Sequence, residues 1–195
     1  MIKFLKYFLQ AIIIYFFLII SRLIGLTLSR FFFSNIFLIF GKYFRSQKII
    51  YQNLKIFNKK LSDREKKSIV TQMWRNFGMT FVEYVFLNHF KKNKSHLEIV
   101  GEKNLEKIIN SNEPVIFVSG HFANFELMSM EIVRKKIKLA TIYRPLNNIF
   151  LNPLMEYLRK KYVCKNQIKK GIVGVKDTVN FIKNNYSIAL MIDQR

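Results

Sequence analysis

Near the N-terminus, fifteen consecutive uncharged residues, 7–21 (YFLQAIIIYFFLIIS), stand between Lys6 and Arg22. No other feature constrains the chain as strongly. As a helix the run extends about 22 Å, short of the ~30 Å hydrocarbon core of a bilayer, and Lys3, Lys6 and Arg22 can snorkel to make up the difference. A globular core helix rarely stays this apolar on every side at a chain terminus. A cleaved signal peptide also starts basic and turns apolar, but Ser21-Arg22-Leu23 supplies no small-x-small cleavage site. The expectation is an uncleaved membrane anchor.

A second apolar stretch, 23–41, carries Arg30 near its middle. An arginine at a bilayer centre costs about 2.5–3.5 kcal/mol even on a lenient scale, so this stretch is expected at the interface or packed on protein. Residues 42–67 then hold nine basic and two acidic side chains. The positive-inside rule places such a segment, and the globular part after it, on the cytoplasmic side.

The same bias runs through the whole chain. Lys+Arg number 33 against 12 Asp+Glu, a formal charge of +21, yet half the residues are apolar, which excludes a disordered basic tail. Lysines outnumber arginines 24 to 9, so drift toward lysine in an AT-rich coding sequence explains part of the excess. The functional alternatives are a nucleic acid and an acidic membrane surface. The adjoining anchor favours the membrane, and no nucleic-acid partner is expected. Cys164 is the only cysteine, which excludes an internal disulfide and a cysteine metal cluster. Three scattered histidines offer no metal site of their own.

Ser62-Asp63-Arg64-Glu65 has capping-box spacing and opens a helix whose apolar residues Ile69, Val70, Met73, Trp74 and Phe77 recur at helical intervals. Beyond the lysine-rich loop 91–94 the pattern becomes short apolar runs alternating with helical segments. Strands are expected at 97–100, 114–118, 139–143 and 188–192, and helices at 103–109, 125–134, 150–162 and 175–183. This alternation predicts an α/β fold with βαβ units and a mostly parallel sheet, following an N-terminal membrane helix and a helical region. Three parts are expected: an anchor with an interfacial helix over 1–45, a basic helical region over 46–94, and an α/β core over 95–195.

Ligands of such sheets bind beyond the carboxyl ends of the strands. There the sequence places Ser119-Gly120-His121 through Glu126, then Arg144-Pro145-Leu146-Asn147-Asn148, then Asp193-Gln194. A neutral His121 suits proton abstraction from a hydroxyl near pH 7. Glu126 can hold its other ring nitrogen only if His121 lies in the turn before the helix, because five residues within one helix stand about 140° apart. The alternatives are a glutamate that complements a helix N-terminus and a loop histidine with no catalytic role. Ser119 lacks the G-x-S-x-G elbow, Cys164 lies in a lysine-rich loop, and no phosphate or dinucleotide loop is present. A histidine and carboxylate without a protein nucleophile suit direct attack by a substrate hydroxyl, as in acyl transfer from a thioester.

The runs VSGHFANFELM, IYRPLNN and MIDQ, in this order, resemble the late acyltransferases of lipid A biosynthesis, the lauroyl/myristoyl type. Asn53-Leu54, the stretch from Trp74 to Glu83 and the N-terminal helix are also similar to that family. The resemblance implies a glycerolipid-acyltransferase-like core that needs no cofactor or metal. It implies an acyl carrier protein as donor, a phosphorylated glycolipid acceptor, and anionic lipids of the inner membrane around the enzyme. His121 would be the base and Glu126 its orienting partner. Arg144, Asn148 and Arg159 would bind phosphate or order the substrate, with Asp193 and Gln194 supporting the site. The chain is about a third shorter than members of that family, so it is expected to lack the C-terminal part of that core. The rival readings are a membrane-tethered basic module that binds anionic lipid or nucleic acid without catalysis, and an inactive shortened relative.

Overall fold

The computed structural model describes residues 1–193. Two compact units emerge, one built from residues 16–86 and the other from residues 1–15 together with 87 onward.

The first unit is helical. Helix α1 (Ile2–Ile24) ends at Gly25, whose φ of 83° is a backbone state that side chains with a Cβ resist, and α2 (Leu26–Phe44) begins directly after it. The Ser29 hydroxyl bonds the carbonyls of Ser21 and Gly25 at 2.9 and 2.7 Å, closing the turn between the helices. After α3 (Gln47–Phe57), α4 (Asp63–Glu83) opens with the expected capping box: Ser62 and Glu65 each satisfy the other's backbone N–H. Its inner face follows from Val70, Trp74, Gly78 and Val82, four residues apart and all buried. Val70 and Trp74 form a cluster with Ile50 of α3, joined by Phe37, Tyr51, Leu54 and Met73. At Gly78 α4 touches the backbone of α2, since a Cβ there would lie 2.1 Å from the Phe33 carbonyl oxygen.

Arg30, the residue that set the placement of the second apolar stretch, pairs with Glu83 of α4 at 2.8 Å. Of the two expectations for that stretch, packing on protein is therefore realised.

The second unit is the α/β part. A short 3₁₀ turn (Tyr84–Phe86) leads into α5 (Leu87–Lys92), whose Leu87 and Phe90 are fully buried. Then come α6 (Glu102–Ser111), β1 (Ile116–Ser119), α7 (Glu126–Arg134), β2 (Leu139–Tyr143) and α8 (Asn152–Leu158). A π-helical turn (Arg159–Val163), β3 (Asn166–Lys169), α9 (Ile172–Lys183) and β4 (Ser187–Met191) complete the order. All pairings are parallel, in the order β1-β4-β2-β3, as the alternating pattern predicts. Ala140, Ile168 and Ile188 form the centre of the sheet's packed cluster.

Two expectations change. Residues 97–100 form no strand, whereas the polar segment of β3 does, pairing only with β2 at the sheet edge. The helix expected over 150–162 begins at Asn152 and widens into the π turn at Arg159.

Candidate active site

Parallel pairing of β1 with β4 sets Ser119 beside Met191, and the Ile192 N–H continues the ladder to the Ser119 carbonyl at 3.0 Å. Two residues beyond each partner stand His121 and Asp193, so the register itself brings them together. The backbone N–H of His121 donates to Asp193 Oδ2 at 2.9 Å, and the ring Nδ1 meets Oδ1 at 2.7 Å. One carboxylate thereby holds both the main chain and the ring of the same residue. The backbone N–H is the largest cause of a depressed Asp193 pKa, ahead of the ring's hydrogen bond and charge, and together they outweigh its slight desolvation. Phe125 packs edge-on against the imidazole, with ring centroids 4.5 Å apart.

A neutral imidazole that donates from Nδ1 to this carboxylate has its free lone pair on Nε2. The side chain remains 30% exposed, which leaves a reacting group room to approach. His121 lies in the loop before α7, the position that the sequence required for a contact with Glu126.

Glu126, the first residue of α7, is buried and accepts from Arg159 Nε at 2.6 Å. Among the described residues, the carboxylate in contact with the imidazole is that of Asp193. The sequence set His121 with Glu126 by their nearness in the chain, while the fold joins His121 to Asp193 and Glu126 to Arg159. Arg159 opens the π turn and lies over the Tyr143 ring, 5.7 Å from its centroid. π turns occur frequently at functional sites, and this one begins at a largely buried cation.

The loop after β2 is held by residues that the sequence did not single out. Tyr143 donates to Glu156 Oε1 at 2.6 Å, Asn152 donates to the same oxygen, and Asn152 Oδ1 accepts the Leu146 N–H at 2.8 Å. Burial and then the Glu156 contact push the Tyr143 phenol well above its ordinary value, and the phenol's hydrogen bond holds Glu156 below its own. Polar residues four apart in 152–156, just past Arg144-Pro145, were the available signal. The loop carries Arg144 exposed beyond the end of β2, where it makes no ion pair among the described residues. Asn148 is buried instead. Its Oδ1 accepts the N–H groups of Phe150 and Leu151, and its amide donates to the Tyr7 carbonyl, so it shapes the loop. Gln194 lies outside the described residues.

The residues past the strand ends thus comprise a histidine held by a carboxylate, an exposed arginine two strands from β1, and a buried Glu–Arg pair. The profile of the family described as bacterial lipid A biosynthesis acyltransferase matches residues 1–195. No individual curated protein matches the chain.

Proposed function

Because the chain belongs to the bacterial lipid A biosynthesis acyltransferase family, we propose that it moves a fatty acyl group from an acyl carrier protein thioester to a hydroxyl of a phosphorylated lipid A precursor. It is an acyltransferase of lipid A biosynthesis. The donor, the base and the side of the membrane are the parts proposed.

The observation that carries the chemistry is the grip of Asp193 on His121, which leaves Nε2 as the basic nitrogen. Nε2 takes the proton of the acceptor hydroxyl as its oxygen attacks the thioester carbonyl. Asp193 then faces an imidazolium and stabilises it. When the tetrahedral centre collapses, the C–S bond breaks, the imidazolium returns its proton to the departing thiolate, and an ester and a free thiol remain. General base catalysis of this kind contributes about 10²–10⁴ in rate. Glu126 serves the site through Arg159, as a positioning residue. Arg144, exposed beside the strand that carries Asp193, suits a phosphate of the acceptor. Phe122, next to His121 and 79% exposed, offers apolar surface to an acyl chain.

In this reading residues 95–195 perform the transfer, 1–45 attach the chain to the inner membrane, and 46–94 set basic side chains at anionic headgroups. The basic segment 42–67 supports a cytoplasmic active site, where acyl carrier protein, itself acidic, is at hand. The test is complementation of a late-acyltransferase-deficient bacterium, with lipid A read by mass spectrometry. The chain should add one acyl group and His121→Ala should add none while still fractionating with membranes. Lipid A left unacylated by the unaltered chain at normal abundance, with retention on anionic vesicles, would instead favour the non-catalytic binding module.

A further inference from the structure

The first half of α1 does more than precede the α/β part: it is packed on it. The Asn148 amide donates to the Tyr7 carbonyl at 2.9 Å, and the Tyr15 hydroxyl donates to the Phe150 carbonyl at 2.8 Å. The Phe150 ring meets Phe4 and Phe8 edge-on, at centroid separations of 5.0 and 5.4 Å. These contacts occupy residues 4–15, about 16 Å of helix axis. Their partner is a loop at the carboxyl edge of a parallel sheet, with irregular backbone that cannot face hydrocarbon. A helix crossing the bilayer ahead of this body would carry its first residues to the opposite side. Here those residues lie beside the body.

The remaining surface of α1 is apolar and uncovered. Leu5, Leu9, Ile12, Phe16, Ile19 and Leu23 recur at alternating steps of four and three, and each is at least half exposed. No charge interrupts this stripe, while Lys3 and Lys6 flank one end and Arg22 the other. Basic residues stand at both ends of the stripe and no acid does, so anionic headgroups can be met along its whole length.

We propose that α1 lies along one leaflet of an anionic bilayer as an in-plane helix. The exposed stripe sits in the acyl boundary, basic residues reach the headgroups, and Met1 stays on the same side as the active site. Interfacial helices of this kind bury one apolar face about 5–10 Å deep. The inference rests on the membrane reading above and deepens it. It makes α1 the floor under the loop that carries Arg144, so an acceptor lipid reaches the site without leaving its leaflet.

The test uses the full chain with Cys164→Ser, bearing either Ile2→Cys or Lys103→Cys, in right-side-out spheroplasts and inverted inner-membrane vesicles. A membrane-impermeant maleimide should label both cysteines from the same face and neither from the other. Labelling of Ile2→Cys only from the face opposite Lys103→Cys overturns the in-plane helix but leaves the acyltransferase reading intact. As a second measurement, fluorophores at Leu9→Cys and Ile19→Cys should be quenched by nitroxide lipids at equal depth. A crossing helix would separate them by up to about 15 Å in depth. Absence of quenching at both positions, with crosslinking between chains along the stripe, would make the occupant a second copy and overturn the proposal. Recovery of the chain in the soluble fraction would overturn the membrane reading as well.

Discussion

Glu126 and Arg159 are the pair on which sequence and structure diverge most, and they can be separated from His121 by a double-mutant cycle. Their side chains are 8% and 13% exposed and meet at 2.6 Å. Removing one partner takes this contact from a buried charge, and breaking a buried ion pair typically destabilises by about 3–5 kcal/mol. Glu126→Gln and Arg159→Met should each lose about that much in denaturant unfolding of the detergent-solubilised chain. The double variant should recover much of the loss, because both buried charges are then gone, giving a coupling of about 0.5–3 kcal/mol. The same cycle between Glu126 and His121 should give far less, since the imidazole bonds Asp193. Activity measured beside stability sharpens the point. Glu126→Gln should lower kcat without changing the shape of the pH profile, whereas Asp193→Asn should distort it, because an amide can present an N–H to Nδ1 and favour the wrong tautomer. Strong coupling of Glu126 to His121 with none to Arg159 would refute this assignment and restore the pairing suggested by chain proximity.

Gly78→Ala should destabilise the helical unit by about 1–3 kcal/mol in the same unfolding assay, since its Cβ would lie 2.1 Å from the Phe33 carbonyl oxygen; unchanged stability would contradict the α2–α4 contact. Cys164 is buried and desolvation raises its thiol pKa, so the native chain should resist maleimide until denaturant is added, as read by intact mass. Asp193 should titrate below its ordinary value of 3.8 by carboxyl-carbon NMR, and remain lowered in His121→Ala because the backbone N–H is the larger cause. A depressed carboxylate fixes the sign: this contact's stabilisation is present above the unfolded pKa and is lost as pH falls through the lower folded value.

Local signals were legible where one segment carries the whole message. The Ser62–Glu65 capping box and the apolar run of β2 both lie where the sequence places them. Arg30 within an apolar stretch announced a protein partner, though not that it would be Glu83. β3 was hidden because only Ile168 of its four residues is buried and its other side chains are polar, as an edge strand permits. Residues 97–100 have strand-like composition but join no ladder among the described residues. The site was legible as a collection and illegible as pairs. The residues just past the carboxyl ends of the strands include His121, Arg144 and Asp193, but 72 positions separate the histidine from its carboxylate. Only strand order shows that β4 lies against β1. Asn148 looked like a ligand because of its place in the loop, whereas its burial and bonds to Tyr7, Phe150 and Leu151 commit it to holding that loop.

The catalytic role of His121 is tested most directly by steady-state acyl transfer with purified protein, from an acyl carrier protein thioester to a phosphorylated lipid A precursor. His121→Ala should reduce kcat by about 10²–10⁴ while its unfolding midpoint and vesicle binding stay unchanged. A folded, membrane-bound His121→Ala chain that transfers acyl groups at the unaltered rate would contradict it.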